Sequence, residues 1–244
     1  VCSLVGSEMC IRDRKMTDIG NLPEVMAEGV AALVNGEVLV GSGGDGEETQ
    51  REFFKMTRSD PAMVEWESLG WPEGARGRMY SVAGVKGGKF YLFGGRDFAE
   101  SEEKKANRIE GLDFLKDCWE LDVSSGAWKR LADLPEARSA APSMALPIGA
   151  SSLLMLGGVP VEFWKDQVAA RPEIKGQGME HPGFPASILS YNIVTDQWTE
   201  SGSLPLAGTF APVTTPVVFW DDKVIIPTGE IKPGVRSPQV LIVE

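Results

Sequence analysis

The sequence predicts an all-β fold of the propeller type, in which four-stranded sheets are arranged as blades around a central channel. Three observations predict it. One residue pattern occurs four times in 244 residues, each copy contains two short apolar runs that end at a glycine pair or its equivalent, and a tryptophan follows each of the first three copies. The copies are LPEVMAEGVAALVNGEVLVGSGG (22–44), WPEGARGRMYSVAGVKGGKFYLFGG (71–95), LPEARSAAPSMALPIGASSLLMLGG (134–158) and LPLAGTFAPVTTPVVFWDDKVIIPTG (204–229).

The first half of each copy predicts a hairpin of two strands. The pairs Asn35-Gly36 and Gly87-Gly88 are typical of the tight turn that joins such strands. The glycine pair after the second strand allows the chain to pass close to the channel axis, where a Cβ atom would clash with a neighbouring strand.

The second half of each copy predicts a third strand and an outer strand that carries the tryptophan. The third strands are FFKM, CWELDV and ILSYNIV, and the tryptophans are Trp66, Trp128 and Trp198. A large apolar ring at this position is suited to the wedge between neighbouring blades. The spacing predicts blades at about 22–68, 69–131, 132–201 and, without its tryptophan strand, 202–244.

Two insertions separate the second strand from the third. They cover residues 96–116 and 159–184, and we expect both to emerge on one face of the disc, together with the turn at 230–236. The charged run around Glu102 to Lys105 predicts a short helix, which we interpret as a solvated cover, with contact to a substrate as the alternative.

We interpret residues 1–14, VCSLVGSEMCIRDR, as a non-native extension because they resemble translated sequencing-adapter sequence. The partial propeller then occupies residues 15–244. An open arc of blades leaves strand edges unpaired, so we expect a reading frame truncated at both ends.

The composition argues against several partners. A formal net charge of −11 argues against nucleic acid and anionic membrane surfaces. Cys2, Cys10 and Cys118 offer no disulfide framework, and the single His181 leaves too few imidazoles for a histidine metal site. The uncharged stretch 139–161 is interrupted by prolines and glycines, which indicates two buried strands rather than a membrane span. We therefore expect no metal, cofactor, nucleic acid or membrane.

The segment GEIKPGVR, residues 229–236, carries the most specific chemistry. Glu230 and Arg236 flank a rigid Pro233-Gly234 pair that fixes a turn. A partly buried carboxylate is suited to general base catalysis, and a guanidinium binds a carboxylate through two parallel hydrogen bonds. A structural ion pair between Glu230 and Arg236 is the alternative interpretation.

The glycine-pair and tryptophan pattern resembles the kelch repeat over residues 22–244. Within the kelch proteins it resembles the N-acetylneuraminate epimerases, or sialic acid mutarotases. The resemblance runs through the initial LPE, through GARGRMYSVAGV at 74–85, through the insertion of the third blade and above all through GEIKPGVR. It implies a kelch-type propeller of six blades, about four of which are present here.

The resemblance also implies a function. Members of that family interconvert the α and β anomers of N-acetylneuraminate without a cofactor, and usually work in the periplasm. It places the catalytic pair on Glu230 and Arg236. The chemistry of the residues suits Glu230 to act as the base, and Arg236 either to bind the substrate carboxylate or to stabilise the developing charge. Arg76, Arg138 and Lys232 are further candidates for binding a small sugar acid, and the position of Arg76 also matches the family.

Two other classes of kelch protein remain as alternatives. One is a non-catalytic module that binds protein or glycan through its loops, because a fold by itself does not define a function. The other is a copper oxidase of the galactose oxidase type. Three tyrosines and one histidine do not show the ligand set that this chemistry requires.

Overall fold

The computed structural model describes residues 19–60, 63–107, 110–169, 181–206 and 208–243. It confirms the all-β propeller: four antiparallel sheets form four blades, of which the first three have four strands and the fourth has three. The extension predicted at 1–14 lies outside the described residues. No helix in the described part of the chain is long and apolar enough to cross a membrane.

The strands of each blade follow one another outward from the channel in sequence order. Blade 1 contains β1 (Val30–Val34), β2 (Glu37–Gly41), β3 (Phe53–Asp60) and β4 (Met63–Ser68). Blade 2 contains β5 (Val82–Lys86), β6 (Lys89–Phe93), β9 (Cys118–Asp122) and β10 (Ala127–Leu131). Blade 3 contains β12 (Leu146–Ile148), β13 (Ser152–Leu156), β15 (Ser187–Asn192) and β16 (Gln197–Ser203). Blade 4 contains β17 (Val218–Trp220), β18 (Lys223–Pro227) and β21 (Val240–Val243).

Three small two-stranded sheets lie beside blades 2, 3 and 4. In each of them, one strand directly follows the second strand of its blade. They are β7 (Arg96–Phe98) with β8 (Leu112–Phe114), β11 (Arg138–Ser139) with β14 (Val159–Pro160), and β19 (Glu230–Lys232) with β20 (Val235–Arg236). The short helix predicted in the first insertion is confirmed at Glu102–Lys105. In the second insertion, a helical turn at Val161–Phe163 leads into a π-helix at Trp164–Ala169.

The repeated tryptophans tie each blade to the segment that precedes it. Their indole nitrogens donate to backbone carbonyl oxygens, Trp66 to Asn21 (2.9 Å), Trp128 to Leu69 (3.2 Å) and Trp198 to Ala132 (3.1 Å). Trp128 also packs against Phe53 of blade 1, and Trp198 against Phe93 of blade 2. Both rings therefore fill the wedge between two blades, as predicted.

Four residues in the left-handed backbone region form a partial ring around the channel, and we call them the axial tetrad. They are Glu28 (φ 58°), Tyr80 (φ 55°), Ala140 (φ 60°) and Thr214 (φ 51°). The amide of Tyr80 donates to the Glu28 carbonyl (2.9 Å), that of Ala140 to Tyr80 (2.8 Å) and that of Thr214 to Ala140 (2.9 Å). Such φ values are uncommon for these residue types. The hydrogen bonds hold one residue of every blade at the same level of the channel.

The glycine pairs are required by close packing. Gly95 has φ 101°, and a Cβ atom there would lie 2.4 Å from Ser81 Oγ and 2.9 Å from the Met79 carbonyl oxygen. In blade 1, the equivalent pair is Ser42-Gly43, because the Gly43 amide donates to the carbonyl oxygen of Arg78 as the Gly95 amide donates to that of Arg138. The blade 1 pattern thus ends one residue earlier than the Gly43-Gly44 pair of the sequence suggests.

Candidate active site

A cavity of about 430 Å³ opens beside the axial tetrad. Its charged and polar lining comes from blades 1, 2 and 4, in the form of Glu28, Tyr80, Arg96, Thr214, Glu230 and Arg236. Both insertions reach the same region, since the rings of Phe114 and Trp164 lie 6.0 Å apart and Trp164 lines the cavity with the 230–236 turn. The predicted meeting of the two insertions with this turn is confirmed.

The β19–β20 hairpin positions Glu230 at the cavity. Its backbone pairs in both directions with Val213, the residue before Thr214 of the tetrad, at 2.8 and 3.0 Å. Its carboxylate oxygen Oε1 accepts a hydrogen bond of 2.6 Å from the amide of Gly234. The Pro233-Gly234 turn therefore fixes the direction of a half-buried carboxylate.

Arg236 lies directly opposite Glu230 in the same hairpin, but the two side chains do not form an ion pair. Within the part of the chain that the structure describes, neither has an oppositely charged partner within 4.0 Å. The exposed guanidinium of Arg236 donates a hydrogen bond of 3.4 Å to Thr214 Oγ1. The structural ion pair considered from the sequence is therefore not formed.

Arg96 is a cavity residue that the sequence analysis did not single out. Its guanidinium carbon lies 4.2 Å from the ring centre of Tyr80 and 5.6 Å from that of Trp164. Its Nε is buried without a hydrogen-bond partner. Burial lowers the pKa of Arg96 from its usual range, although Tyr80, Glu28 and Glu230 favour its charged form.

Arg96 and Glu230 occupy the same repeat position in blades 2 and 4. Each directly follows the glycine pair or its equivalent and pairs with the residue before a tetrad member, Met79 for Arg96 and Val213 for Glu230. Across the four blades this position holds Gly44, Arg96, Val159 and Glu230. The repeat position was the signal in the sequence that could have identified Arg96.

A second carboxylate and a phenol complete the charged side of the cavity. Glu28 and Tyr80 belong to the axial tetrad, and their backbones are hydrogen bonded to each other. Burial raises the pKa of Tyr80, Arg96 opposes that change and Glu28 reinforces it. The Tyr80 hydroxyl therefore keeps its proton at neutral pH.

The other wall is apolar and comes from blade 3 and its insertion. Val159, Trp164 and Phe184 line it. Behind it, His181 is buried, packs 5.7 Å from the Phe163 ring and accepts a hydrogen bond from the Gly183 amide. Burial lowers its pKa. Among the described residues, no group of three or more histidine, cysteine or carboxylate side chains could hold a metal ion.

The three further candidates from the sequence do not line this cavity. Arg76 is held by Asp97 (2.9 Å) and Asp113 (2.6 Å). Arg138 is buried and donates to the Gly157 carbonyl at 2.9 Å and to Ser187 Oγ at 2.8 Å. Lys232 is buried with its ammonium group 4.4 Å from the ring centre of Phe210. The structure thus brings Glu230 and Arg236 to one cavity and places Arg76, Arg138 and Lys232 outside it.

Comparison with known structures supports the class of fold. The chain aligns with a protein described as "Structure of YjhT" at a TM-score of 0.69 and 19% sequence identity, over 93% of this chain and 65% of that one. This similarity establishes a common fold.

The sequence profile of N-acetylneuraminate epimerase matches residues 19–244, and the chain belongs to that family. The epimerases of Pasteurella multocida (strain Pm70) and Haemophilus influenzae (strain PittEE) are each 28% identical to it, over 89% and 90% of this chain and 56% and 57% of theirs. That of Yersinia pestis (strain Pestoides F) is 24% identical over 90% of this chain and 56% of its own. The chain thus spans a little over half the length of these relatives.

Proposed function

We propose that this protein is an isomerase that interconverts the α and β anomers of N-acetylneuraminate by general acid–base catalysis. The observation that carries the proposal is a half-buried carboxylate, Glu230, fixed by the Gly234 amide in a cavity that also contains Arg96 and Arg236. The relatives named N-acetylneuraminate epimerase support the same substrate class. We also propose that the protein acts in the periplasm or outside the cell. Fractionation of cells that produce it tests this location.

The reaction needs two proton transfers, at the two oxygen atoms bonded to the anomeric carbon. A base removes the proton of the anomeric hydroxyl while an acid protonates the ring oxygen, and the bond between the anomeric carbon and the ring oxygen breaks to give the open-chain keto acid. Bond rotation and the reverse transfers close the ring on the other face. No atom is gained or lost, and no electron acceptor is required.

Glu230 is the proposed base, and Arg236 is proposed to stabilise the charge that develops on the substrate. A positioned general base contributes about 10²–10⁴-fold to such a step. The proton that the ring oxygen receives must come from a second group. Glu28 and Tyr80 line the same cavity and are candidates for this acid. The apolar wall of Val159, Trp164 and Phe184 is suited to the N-acyl group of the sugar.

Proton NMR of anomer exchange tests the proposal, with N-acetylneuraminate freshly released by a sialidase as substrate. We expect exchange faster than the spontaneous rate, with a loss of about 10²–10⁴-fold in Glu230→Gln. Glu73→Gln, which changes an exposed carboxylate outside the cavity, is the matched control and should retain the rate.

Two other outcomes are informative. Acceleration that survives Glu230→Gln would assign the base to another group. A folded protein that binds the sugar without accelerating exchange would favour the non-catalytic glycan-binding module.

A further inference from the structure

The geometry points to Arg96, rather than Arg236, as the group that holds the carboxylate of the sugar acid. This inference rests on the proposed function for the class of ligand, and it reassigns a binding role within the same cavity. Four features of Arg96 support it: a hydrogen-bond donor without a partner, the stacking of the guanidinium on aromatic rings, the support of its backbone and its position relative to Glu230.

The first feature is the unmet hydrogen-bonding capacity of Arg96. A guanidinium presents five N–H donors, and a buried donor is ordinarily satisfied. The Nε of Arg96 is buried and has no hydrogen-bond partner. The Nε of Arg138 is in the same state, but Arg138 donates through Nη1 to two oxygen atoms away from the cavity, and Arg76 donates to Asp97 and Asp113. A ligand carboxylate supplies the pair of acceptors that suits a guanidinium edge.

The second feature is the fixed plane of the guanidinium. The rings of Tyr80 and Trp164 contact it at 4.2 and 5.6 Å, and both rings line the cavity. Stacking of this kind leaves the in-plane N–H groups available to a ligand. Trp164 is contributed by blade 3 and Tyr80 by blade 2, so two blades hold the side chain.

The third feature is the difference in support between the two arginines. The backbone of Arg96 pairs with Met79 in both directions, at 2.8 and 2.9 Å, at the start of β7. Arg236 is exposed at the end of the two-residue strand β20, and its hydrogen bond with Thr214 is long, at 3.4 Å. A side chain that is already ordered loses less conformational entropy when a ligand binds. Arg96 is therefore the better prepared anion-binding group.

The fourth feature is the position of Arg96 relative to the proposed base. Arg96 and Glu230 hold the same repeat position in blades 2 and 4, and the charge of Glu230 favours the charged form of Arg96. In N-acetylneuraminate the carboxylate is attached to the anomeric carbon itself. A ligand anchored on Arg96 through its carboxylate thus presents the reacting carbon to the wall that carries Glu230.

The test is a double-mutant cycle in which one partner is the ligand carboxylate. Binding of N-acetylneuraminate and of its uncharged methyl ester is measured by NMR titration for the unmodified protein, Arg96→Gln and Arg236→Gln. We expect the unmodified protein to bind the acid about 10- to 100-fold more tightly than the ester, since a hydrogen bond to a charged group is worth that much. In Arg96→Gln this preference should vanish, whereas in Arg236→Gln most of it should remain.

Two control variants and two contrary outcomes decide the assignment. Arg96→Lys keeps the charge and is the variant to use if Arg96→Gln does not fold, with an intermediate preference expected. Arg76→Gln removes a blade 2 arginine outside the cavity and should keep the full preference. Equal weakening of acid and ester in both Arg96 variants would overturn the inference, as would a preference that vanishes only in Arg236→Gln.

The experiment separates this inference from the proposed function. A lost acid preference in Arg96→Gln supports the assignment even if the protein does not accelerate anomer exchange. Conversely, acceleration that depends on Glu230 supports the isomerase even if the acid preference depends on Arg236.

Discussion

Blade 2 contains two arginines, the buried Arg78 and the half-buried Arg96, that are used in opposite ways. Arg78 is fully buried, and its guanidinium donates to the Asp117 carboxylate at 2.5 Å and to the carbonyl oxygens of Gly94 and Arg76 at 3.1 and 3.3 Å. Arg96 lies between aromatic rings with a buried Nε that has no partner. One charge is matched within the fold, and the other is left incomplete at a cavity.

The difference predicts that Arg78 contributes to the stability of the fold, whereas Arg96 is available to a ligand. Removing Arg78 leaves the half-buried Asp117 carboxylate without its ion-pair partner, which is costly. Removing Arg96 relieves a buried group whose hydrogen-bonding capacity the fold does not satisfy. Sites often retain such groups at the expense of folding free energy because they serve a ligand. The comparison therefore predicts a graded series of effects on stability.

The largest effect is expected for Arg78→Met. Breaking a buried pair by removing one partner costs about 3–5 kcal/mol, and Asp117 would stay charged and largely shielded from water, with 19% of its side chain exposed. Urea unfolding followed by tryptophan fluorescence measures the free energy of unfolding. Arg51→Met, at an exposed position, is the matched control and should change it by less than about 0.5 kcal/mol. A loss below about 1 kcal/mol for Arg78→Met would remove the distinction between the two arginines.

The next effect is a loss of stability in acid. Burial opposes ionisation of Asp117, but the charge and hydrogen bonds of Arg78 and the Trp119 indole outweigh it, so the pKa of Asp117 lies below its ordinary value. A carboxyl whose pKa is lower in the folded state stabilises the fold fully above its unfolded value, about 3.9, and this stabilisation is lost as the pH falls toward the folded value.

Unfolding free energies measured between about pH 3 and 6 test this expectation. The unmodified protein should lose stability below about pH 4. In Arg78→Met the Asp117 contribution should shrink or change sign, because burial would then act on this carboxyl without its main opposing charge. An identical pH dependence in both proteins would show that Asp117 does not couple to Arg78.

A smaller effect on stability is expected for Arg96→Met. Replacing this half-buried, incompletely paired charge with an apolar side chain of similar length should leave the free energy of unfolding within about 1 kcal/mol or increase it. The same urea experiment measures it. A loss above about 2 kcal/mol would mean that the rings of Tyr80 and Trp164 depend on the guanidinium, and that Arg96 is structural as well.

The smallest effect is expected for Arg236→Met. This side chain is exposed and makes one long hydrogen bond, so the free energy of unfolding should change by less than about 0.5 kcal/mol. Chemical denaturation of both cavity variants side by side gives the comparison. A greater loss for Arg236→Met than for Arg96→Met would reverse the order of support that we assign to the two arginines.

The blades were predictable because their determinants are local and repeated. The glycine pairs meet a steric requirement that occurs in every copy, and Trp128 and Trp198 fill the same wedge in successive blades. Glu230 and Arg236 could be found because one short segment carries both residues and the turn between them. The cavity confirms that these features lie together.

The positions of the other candidate arginines relative to the cavity depend on contacts between distant segments. Arg76 and Arg138 follow the blade-opening prolines Pro72 and Pro135 by four and three residues, and this spacing predicts a position near the mouth of the channel. Whether they face a ligand depends on Asp97, Asp113 and Ser187, which come from other parts of the chain. Arg96 was overlooked because it begins the 96–116 insertion, of which only the charged run at Glu102 to Lys105 was interpreted.

In the axial tetrad, the backbone sets the positions of the residues and the side chains set the chemistry of the channel. The backbone hydrogen bonds between successive members hold Glu28, Tyr80, Ala140 and Thr214 at one level, and those bonds do not involve their side chains. A substitution at one member can therefore change which groups face a ligand while its neighbours keep their places. The methyl group of Ala140 occupies the least space of the four. A larger residue there would narrow the channel from a single blade, so ligand selectivity can be adjusted one blade at a time.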